Sequence, residues 1–130
     1  NEAIYTFNLA LKNLKTYDLS EKSNHYIRIT NNLSECFQNK NDLKNAAKFN
    51  DKALSIIENG GLKTNLYPQE YFIALVQKGE LFAQNQIETN IKAIIFANEL
   101  RQTFDLPESK LFYSEKVSPI YTKTIGLILE

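Results

Sequence analysis

The sequence predicts an all-α domain built from antiparallel helix pairs, and three observations support this prediction. Apolar residues recur at steps of three and four along most of the chain, which is the spacing of one face of a helix. Residues that break helices are rare, since the 130 residues include only 3 prolines and 4 glycines. No window alternates between apolar and polar residues over a useful length, so no β-sheet is expected.

The composition is that of one soluble globular domain, residues 1–130, with 43% hydrophobic and 23% charged residues. A chain of this size buries roughly 68% of its unfolded surface, which is enough for a core without disulfides. The 15 basic and 15 acidic residues cancel, so no net charge favours DNA binding by this chain alone. One cysteine and one histidine exclude an internal disulfide, multi-cysteine zinc sites and paired-histidine metal sites.

No membrane, metal or cofactor is therefore expected. No apolar run approaches the roughly 18 residues of a membrane span. The N-terminus, Asn-Glu-Ala-Ile, has neither an initiator methionine nor a basic signal region. We predict an excised, C-terminal piece of a longer cytoplasmic protein.

Three helices are predicted in the first half of the chain. The first spans about 2–17 and the third about 43–58. The second begins after Ser20 or Ser23, either of which can cap a helix, and ends near Asn39. Their predicted core-facing residues are Ala3, Phe7, Ala10, Leu14, Tyr17, Tyr26, Ile29, Leu33, Cys36, Phe37, Leu43, Ala46, Ala47, Phe49, Ala53, Leu54 and Ile57.

The turns between these helices are short, which makes the helices antiparallel neighbours. Asn41 tolerates the left-handed conformation, and Asp42 can accept hydrogen bonds from the free amides that open the third helix. A left-handed C-cap at Asn59-Gly60-Gly61 is predicted to end that helix.

The second half is predicted to hold two more long helices. Pro68 fits the first turn of the fourth helix, and the fifth spans about 87–104. The apolar or small residues in register on the fourth are Tyr71, Leu75, Gly79 and Phe82. The predicted core-facing residues of the fifth are Ile91, Ile94, Ile95 and Leu100.

The tail is predicted to be helical in two pieces, 108–116 and 119–129. Ser118 followed by Pro119 resembles an N-cap with proline at the first helical position, so a break is expected there.

Small residues recur where two helices must approach closely. Leu33-Ser34 and Phe37 on the second helix are followed on the third by Ala46 and, seven residues later, by Ala53. This arrangement resembles the tetratricopeptide repeat, whose first helix carries a leucine, a small residue and an aromatic, and whose second helix carries two alanines seven apart. Partial copies of the pattern are Ala3, Phe7 and Ala10 before it, and Gly79, Phe82, Ala93, Ala97 and Leu100 after it.

The match to this repeat has departures. Equivalent positions are 43 residues apart from Ala10 to Ala53 and 45 apart from Ser34 to Gly79, against about 34 in the family. The closing proline is absent. The residues that depart from the pattern are Lys78 in place of a leucine, Leu100 in place of the last alanine, Asn50 in the aromatic slot and Phe49 one residue early. The resemblance implies helix pairs stacked as a short right-handed solenoid with one concave surface.

Stretched repeats in a chain rich in asparagine and lysine resemble the regulatory half of Gram-positive peptide-sensing regulators of the PlcR and Rgg type. The segments that carry this resemblance are Asn32-Leu33-Ser34-Glu35-Cys36-Phe37, Asn41-Asp42-Leu43 and Lys78-Gly79. It implies that the repeats form a homodimer and hold a short secreted peptide in their groove. DNA would be bound by an N-terminal helix-turn-helix domain outside this chain.

Two stripes are predicted to line that groove. The first, on the second helix, consists of Arg28, Asn31, Asn32, Glu35 and Asn39. The second, on the fourth helix, consists of Ile73, Gln77, Glu80 and Gln84. Amide side chains can hold an extended peptide backbone, Arg28 would anchor a carboxylate, and Ile73 would touch an apolar side chain. The alternative is that both stripes are ordinary solvated faces, with Ile73 packed against the next helix pair.

Four lysines follow one another at steps of four: Lys40, Lys44, Lys48 and Lys52. This strip lacks interleaved aromatic residues and is diluted by acidic ones, so a solvated face is favoured over nucleic-acid binding. Aromatic residues around the linker and the tail fit core packing or a dimer interface. They are Tyr67, Tyr71, Phe72, Phe112, Tyr113 and Tyr121.

An enzyme is not expected. His25 has no paired nucleophile, and Cys36 lies on the apolar side of its helix, where an inert thiol is favoured. Glu35 and Glu80 would form a carboxylate pair only across the groove, with no metal motif beside them. The sequence therefore predicts a peptide-binding and dimerisation domain of a transcriptional regulator. A tetratricopeptide-type scaffold for protein–protein interaction is the alternative.

Overall fold

The computed structural model describes residues 2–16, 24–59, 68–103 and 107–130. Within these ranges the chain is helical throughout, apart from short turns, and contains no strand. The helices are α1 (Glu2–Thr16), α2 (Asn24–Asn39), α3 (Leu43–Asn59), α4 (Pro68–Leu81), α5 (Gln86–Thr103), α6 (Pro107–Phe112) and α7 (Ser118–Leu129). For the described residues, the all-α prediction is confirmed.

Each helix from α1 to α5 packs against the next in the chain, and further contacts join α2 to α4 and α5 to α7. The main core lies between α2, α3, α4, α5 and the residue that precedes α7. Its buried members are Ile27, Ala53, Leu54, Ile57, Tyr71, Phe72, Ala74, Leu75, Ala93, Phe96, Ala97 and Val117. Two ring pairs meet edge to face in it, Tyr71 with Phe96 at 4.8 Å and Phe72 with Phe112 at 5.4 Å between centroids. The second pair fixes α6 against α4.

The turn between α2 and α3 has the predicted chemistry. Asn41 adopts a left-handed conformation with φ 62°. Asp42 caps α3, because the Asn45 backbone amide donates to its Oδ1 at 3.2 Å and the Asn45 side chain donates to its Oδ2 at 2.8 Å. These two hydrogen bonds, the side-chain bond first, hold the pKa of Asp42 below its ordinary value.

Small residues lie where the helices of a pair approach closely. Between α2 and α3, the Ser34 hydroxyl donates to the Ala46 carbonyl at 2.9 Å, and both residues are fully buried. Between α4 and α5, a Cβ atom on Gly79 would lie 2.6 Å from Thr89 Oγ1. In both pairs, the close approach of the two helices therefore requires a residue with a small side chain, or with none, at the contact.

The predicted core face of α5 is wrong at two positions. Ile91 is 40% exposed and Ile95 is 53% exposed, whereas Ala93, Phe96 and Ala97 are buried. The prediction at Ile94 is confirmed, since it is 8% exposed, and the buried side combines Ile94 and Phe96 with the two alanines. The alanines let this side of α5 approach α4 closely.

Several other predicted core residues are exposed or only half-buried. Leu43 is 50% exposed and Phe82 is 36% exposed, because each lies at the end of a helix, beside a turn. Ala3 is also exposed, and Phe7 and Ala10 are half-buried on α1, whose packing partner is α2. Predictions that fall outside the described residues or side chains are those at Leu14, Tyr17, Ser20, Ser23, Gly60, Gly61, Tyr67 and Phe104.

The tail does not break at Ser118. A π turn over Tyr113–Val117 joins α6 to α7, and Ser118 has helical dihedrals and caps nothing. Proline has no amide hydrogen to donate to the preceding turn. The wider turn directly before Pro119 accommodates this missing bond, so the helical path continues.

Candidate functional site

A groove of 280 Å³ lies between α2, α4 and the beginning of α7. Its floor is apolar, with Phe72, Ile73 and Val76 from α4 facing Ile120 from α7. Polar and charged side chains complete its wall: Glu35, Gln38, Gln77, Glu80 and Lys116. Three separate helical segments therefore contribute to one depression with an apolar base and a polar edge.

The structure brings four of the nine predicted site residues to this groove. They are Glu35 from α2 and Ile73, Gln77 and Glu80 from α4. The other five do not line it: Arg28, Asn31, Asn32, Asn39 and Gln84. Asn39 is exposed at the end of α2, and Asn32 is half-buried. The placement of Gln84 on the fourth helix is wrong, because α4 ends at Leu81 and Gln84 lies exposed in the 3-10 turn Ala83–Asn85.

Asn31 is not on an open face, as the polar stripe suggested. It is only 2% exposed. Its Nδ2 donates to the Glu70 backbone carbonyl at 3.0 Å and to Glu70 Oε2 at 2.9 Å. Since α2 packs on α4, the middle of the stripe is used to join the two helices and is closed to a ligand.

Arg28 also points towards α4. Its Nε lies 3.3 Å from Glu70 Oε1, with the arginine side chain 55% exposed and the glutamate side chain 10% exposed. A carboxylate this deeply buried is stabilised by a cation and by amide donors. The predicted ligand anchor is therefore engaged with a carboxylate of the protein itself.

Gln77 forms part of both the groove wall and the contact between α2 and α4. It is 8% exposed, and its Nε2 donates to the Asn31 carbonyl at 3.2 Å. Its Oε1 has no hydrogen-bond partner among the described residues. A buried carbonyl oxygen without a partner is costly, so a donor supplied at this wall would be favourable.

The sequence interpretation missed Gln38, Phe72, Val76, Lys116 and Ile120. Gln38 Nε2 donates to Glu80 Oε2 at 2.9 Å and links α2 to α4 at the rim. Helical spacing is a usable signal for Gln38, which follows Glu35 by three residues. It is also usable for Val76, which follows Phe72 by four residues and Ile73 by three. Lys116 and Ile120 carry no such signal, because their position depends on how the tail folds back.

The charges at the groove are mixed, with two carboxylates, Glu35 and Glu80, and one ammonium group, Lys116. Beside them, burial and then the charge of Glu35 raise the pKa of the Cys36 thiol. The protonated thiol is therefore favoured, and a protonated thiol is a poor nucleophile. His25, the other candidate for catalysis, is exposed at the beginning of α2.

No group of three or more histidine, cysteine, aspartate or glutamate residues that could hold a metal ion occurs in the described part of the chain. Among the described helices, none combines the length and apolar character that crossing a bilayer requires.

Comparisons with known proteins found no matching family model, no matching curated protein and no matching solved structure.

Proposed function

We propose that this chain is a ligand-sensing domain that binds a short, partly apolar peptide in the groove between α2, α4 and α7. The observation that carries the proposal is the groove itself, whose apolar floor and polar rim come from three helical segments. Ligand sites in proteins commonly combine an apolar base with a few polar groups that fix orientation. A volume of 280 Å³ suits one or two side chains of a peptide that continues across the surface.

The groove favours a particular peptide chemistry. Phe72, Ile73, Val76 and Ile120 provide an apolar base for a leucine- or isoleucine-like side chain. Two carboxylates against one ammonium group favour a positive charge on the ligand next to that side chain. Gln77 Oε1 is buried at this wall without a partner among the described residues, and a peptide amide would satisfy it if the side chain turned towards the groove and released Asn31.

The proposal includes the finer architecture and the biological role. The helix pairs form a short right-handed, tetratricopeptide-like solenoid with the groove on its concave side, and DNA is bound by a separate N-terminal domain. Occupancy is transmitted as a population shift, because a ligand favours the spacing of α2 and α4 to which it binds more tightly. The Glu70, Asn31 and Gln77 hydrogen bonds are the contacts that such a shift would alter.

Fluorescence anisotropy tests the groove with two labelled heptapeptides, Gly-Lys-Leu-Ile-Leu-Gly-Ser and its counterpart with glutamate in place of lysine. The lysine peptide is expected to bind at least fivefold more tightly, because the groove carries more negative than positive charge. Ile73→Gln is expected to weaken binding about tenfold, since it removes apolar contact from the floor. The matched control, Ile95→Gln, changes an exposed isoleucine on α5 and is expected to change affinity less than twofold.

Three outcomes would contradict this function. They are no binding of either peptide, equal affinity for the two peptides, and equal weakening by Ile73→Gln and Ile95→Gln. Asn31→Ala is unsuitable as a probe of ligand contact, because that side chain is buried between helices.

A protein-interaction scaffold that forms a homodimer is the second candidate, and exposed apolar residues favour it. Ile87, Ile91 and Ile95 form a stripe on α5 at steps of four, and each is between 39% and 53% exposed. A similar stripe on α7 contains Tyr121, Ile125 and Ile128. Sedimentation velocity tests the dimer, which is expected to form without peptide and to be lost in Ile91→Lys. A dimer that binds neither heptapeptide would favour the scaffold over the ligand-sensing domain.

A further inference from the structure

A second groove, of 330 Å³, lies between α1, α2 and α3, away from the peptide groove. The residues that define its chemistry are Leu11 and Lys12 of α1, Tyr26 of α2, and Lys48, Phe49 and Lys52 of α3. None of these residues belongs to the wall of the first groove. The two grooves therefore share no lining residue and can bind different ligands.

Lysines converge on this groove from two helices. Lys12 reaches it from α1, and Lys48 and Lys52 reach it from successive turns of α3, while no acidic residue lines it among the described residues. The lysine strip of the sequence is thus divided: its last two members face a cavity, whereas Lys40 and Lys44 are exposed outside it. Like charges one turn apart on a helix repel each other, and a bound anion would relieve this repulsion.

Aromatic rings form part of the same wall. Lys52 Nζ lies 5.3 Å from the centroid of the Tyr26 ring, and Tyr26 is 1% exposed. Phe49 is half-buried, and its ring stacks on Phe37 at 5.6 Å between centroids with an interplanar angle of 4°. The cation–π contact holds one ammonium group beside a rigid apolar surface.

From this arrangement we infer a second binding site, for a small organic anion that joins phosphate groups to a planar ring, as nucleotides do. The ammonium groups of Lys12, Lys48 and Lys52 bind the phosphates, and the half-buried side chains of Leu11 and Phe49 pack against the ring, while the buried Tyr26 supports Lys52 from behind. Phosphate alone uses only the first of these features, and a neutral nucleoside uses only the second.

Isothermal titration of the 130-residue chain with ATP, inorganic tripolyphosphate and adenosine tests this inference. ATP is expected to bind at least fivefold more tightly than tripolyphosphate, and adenosine is expected to show no measurable binding. Lys48→Gln/Lys52→Gln is expected to weaken ATP binding about tenfold or more, because each lost charge-assisted hydrogen bond is costly. The matched control, Lys40→Gln/Lys44→Gln, removes the same charge nearby but outside the groove and is expected to change affinity less than twofold.

Phe49→Leu separates the two parts of the site. It is expected to reduce ATP affinity while leaving tripolyphosphate binding unchanged, and circular dichroism verifies that each variant folds. The inference is overturned if ATP does not bind, if tripolyphosphate binds as tightly as ATP, or if the two double-lysine variants weaken binding equally. Preferential binding of a single-stranded oligonucleotide over ATP would also overturn it, since it would indicate a nucleic-acid surface.

Discussion

The α2–α3 pair and the α4–α5 pair bring their helices together in different ways. In the first pair, Ser34 donates a hydrogen bond across the contact to the Ala46 carbonyl. In the second pair, Gly79 has no side chain, and Thr89 Oγ1 and Asn90 Oδ1 occupy the space where a Cβ atom would lie. The comparison shows that a close approach can be stabilised by a small polar group or simply permitted by glycine. Only the first adds a directional bond.

Asn50 in the first pair and Asn90 in the second differ in whether their buried side chains form hydrogen bonds. Asn50 of α3 is 1% exposed, and its Nδ2 donates to the Ala74 carbonyl of α4 at 2.8 Å. Asn90 of α5 is equally buried, yet neither its Oδ1 nor its Nδ2 has a partner among the described residues. The first pair also leaves one buried amide oxygen, Asn31 Oδ1, without a partner, but its Nδ2 is bonded, whereas both amide atoms of Asn90 are uncompensated among the described residues.

The largest expected effect comes from the same substitution at these two asparagines. Asn50→Leu keeps the branched shape but removes the bond to Ala74, so we expect it to destabilise the fold by about 2 kcal/mol. Asn90→Leu removes an unpartnered amide, so we expect stability within about 1 kcal/mol of the parent, or higher. Urea unfolding followed by circular dichroism measures both. Equal destabilisation by the two variants would show that the hydrogen bonding of these buried amides does not affect the free energy of unfolding.

A smaller effect is expected at the glycine contact. Gly79→Ala places a methyl group against Thr89 Oγ1, so we expect a loss of about 1–2 kcal/mol from overpacking. Gly126→Ala is the matched control, because no atom lies within 4 Å of a Cβ atom at that exposed position of α7. It is expected to stabilise by up to about 1 kcal/mol through helix propensity. Thermal unfolding distinguishes the two, and stabilisation by Gly79→Ala would refute a tight α4–α5 contact.

The smallest effect is expected at the Asp42 cap, which lies in the turn between α2 and α3 and begins α3. The pKa of Asp42 is lower in the folded protein, mainly because Asn45 donates to its carboxylate. The stabilisation is therefore fully present above the unfolded pKa and is lost as the pH falls through the folded pKa. We expect Asp42→Ala to be less stable than the parent at neutral pH, with the difference shrinking in acid below the ordinary aspartate range.

Asp42→Asn is the control for this titration, since asparagine caps helices as well as aspartate does but does not ionise. Its stability relative to Asp42→Ala should not vary with pH. Urea unfolding across an acidic pH series measures the difference. A gap between parent and Asp42→Ala that stays constant down to the lowest pH would contradict the role of the carboxylate in the cap.

Helix positions could be predicted because local chemistry determines them. Asn41 and Asp42 form the turn before α3, and Pro68 begins α4, as their backbone preferences require. The buried face of α5 was predicted only in part, because apolar spacing identified Ile94 but also selected Ile91 and Ile95, while the recurring small residues Ala93 and Ala97 marked the side that is buried. Contact with α4 chooses between the two sides, and this contact is tertiary.

About half of the candidate site was predictable for a similar reason. Glu35, Ile73, Gln77 and Glu80 share helix faces that periodicity identifies, and the groove includes all four. Asn31 belongs to the same periodic stripe but is buried, because Glu70 of α4 supplies partners that spacing within α2 cannot show. Ile120 reaches the groove only through the path of the tail.

That path depends on the π turn over Tyr113–Val117. A π turn places one additional residue in the helical path, and each residue rotates a helix by about 100°. Deleting a single residue there would rotate α7 so that Ile120 leaves the groove and a different side chain takes its place. The angular setting of the last helix, and with it the shape of one wall of the groove, is therefore determined by the length of this five-residue turn.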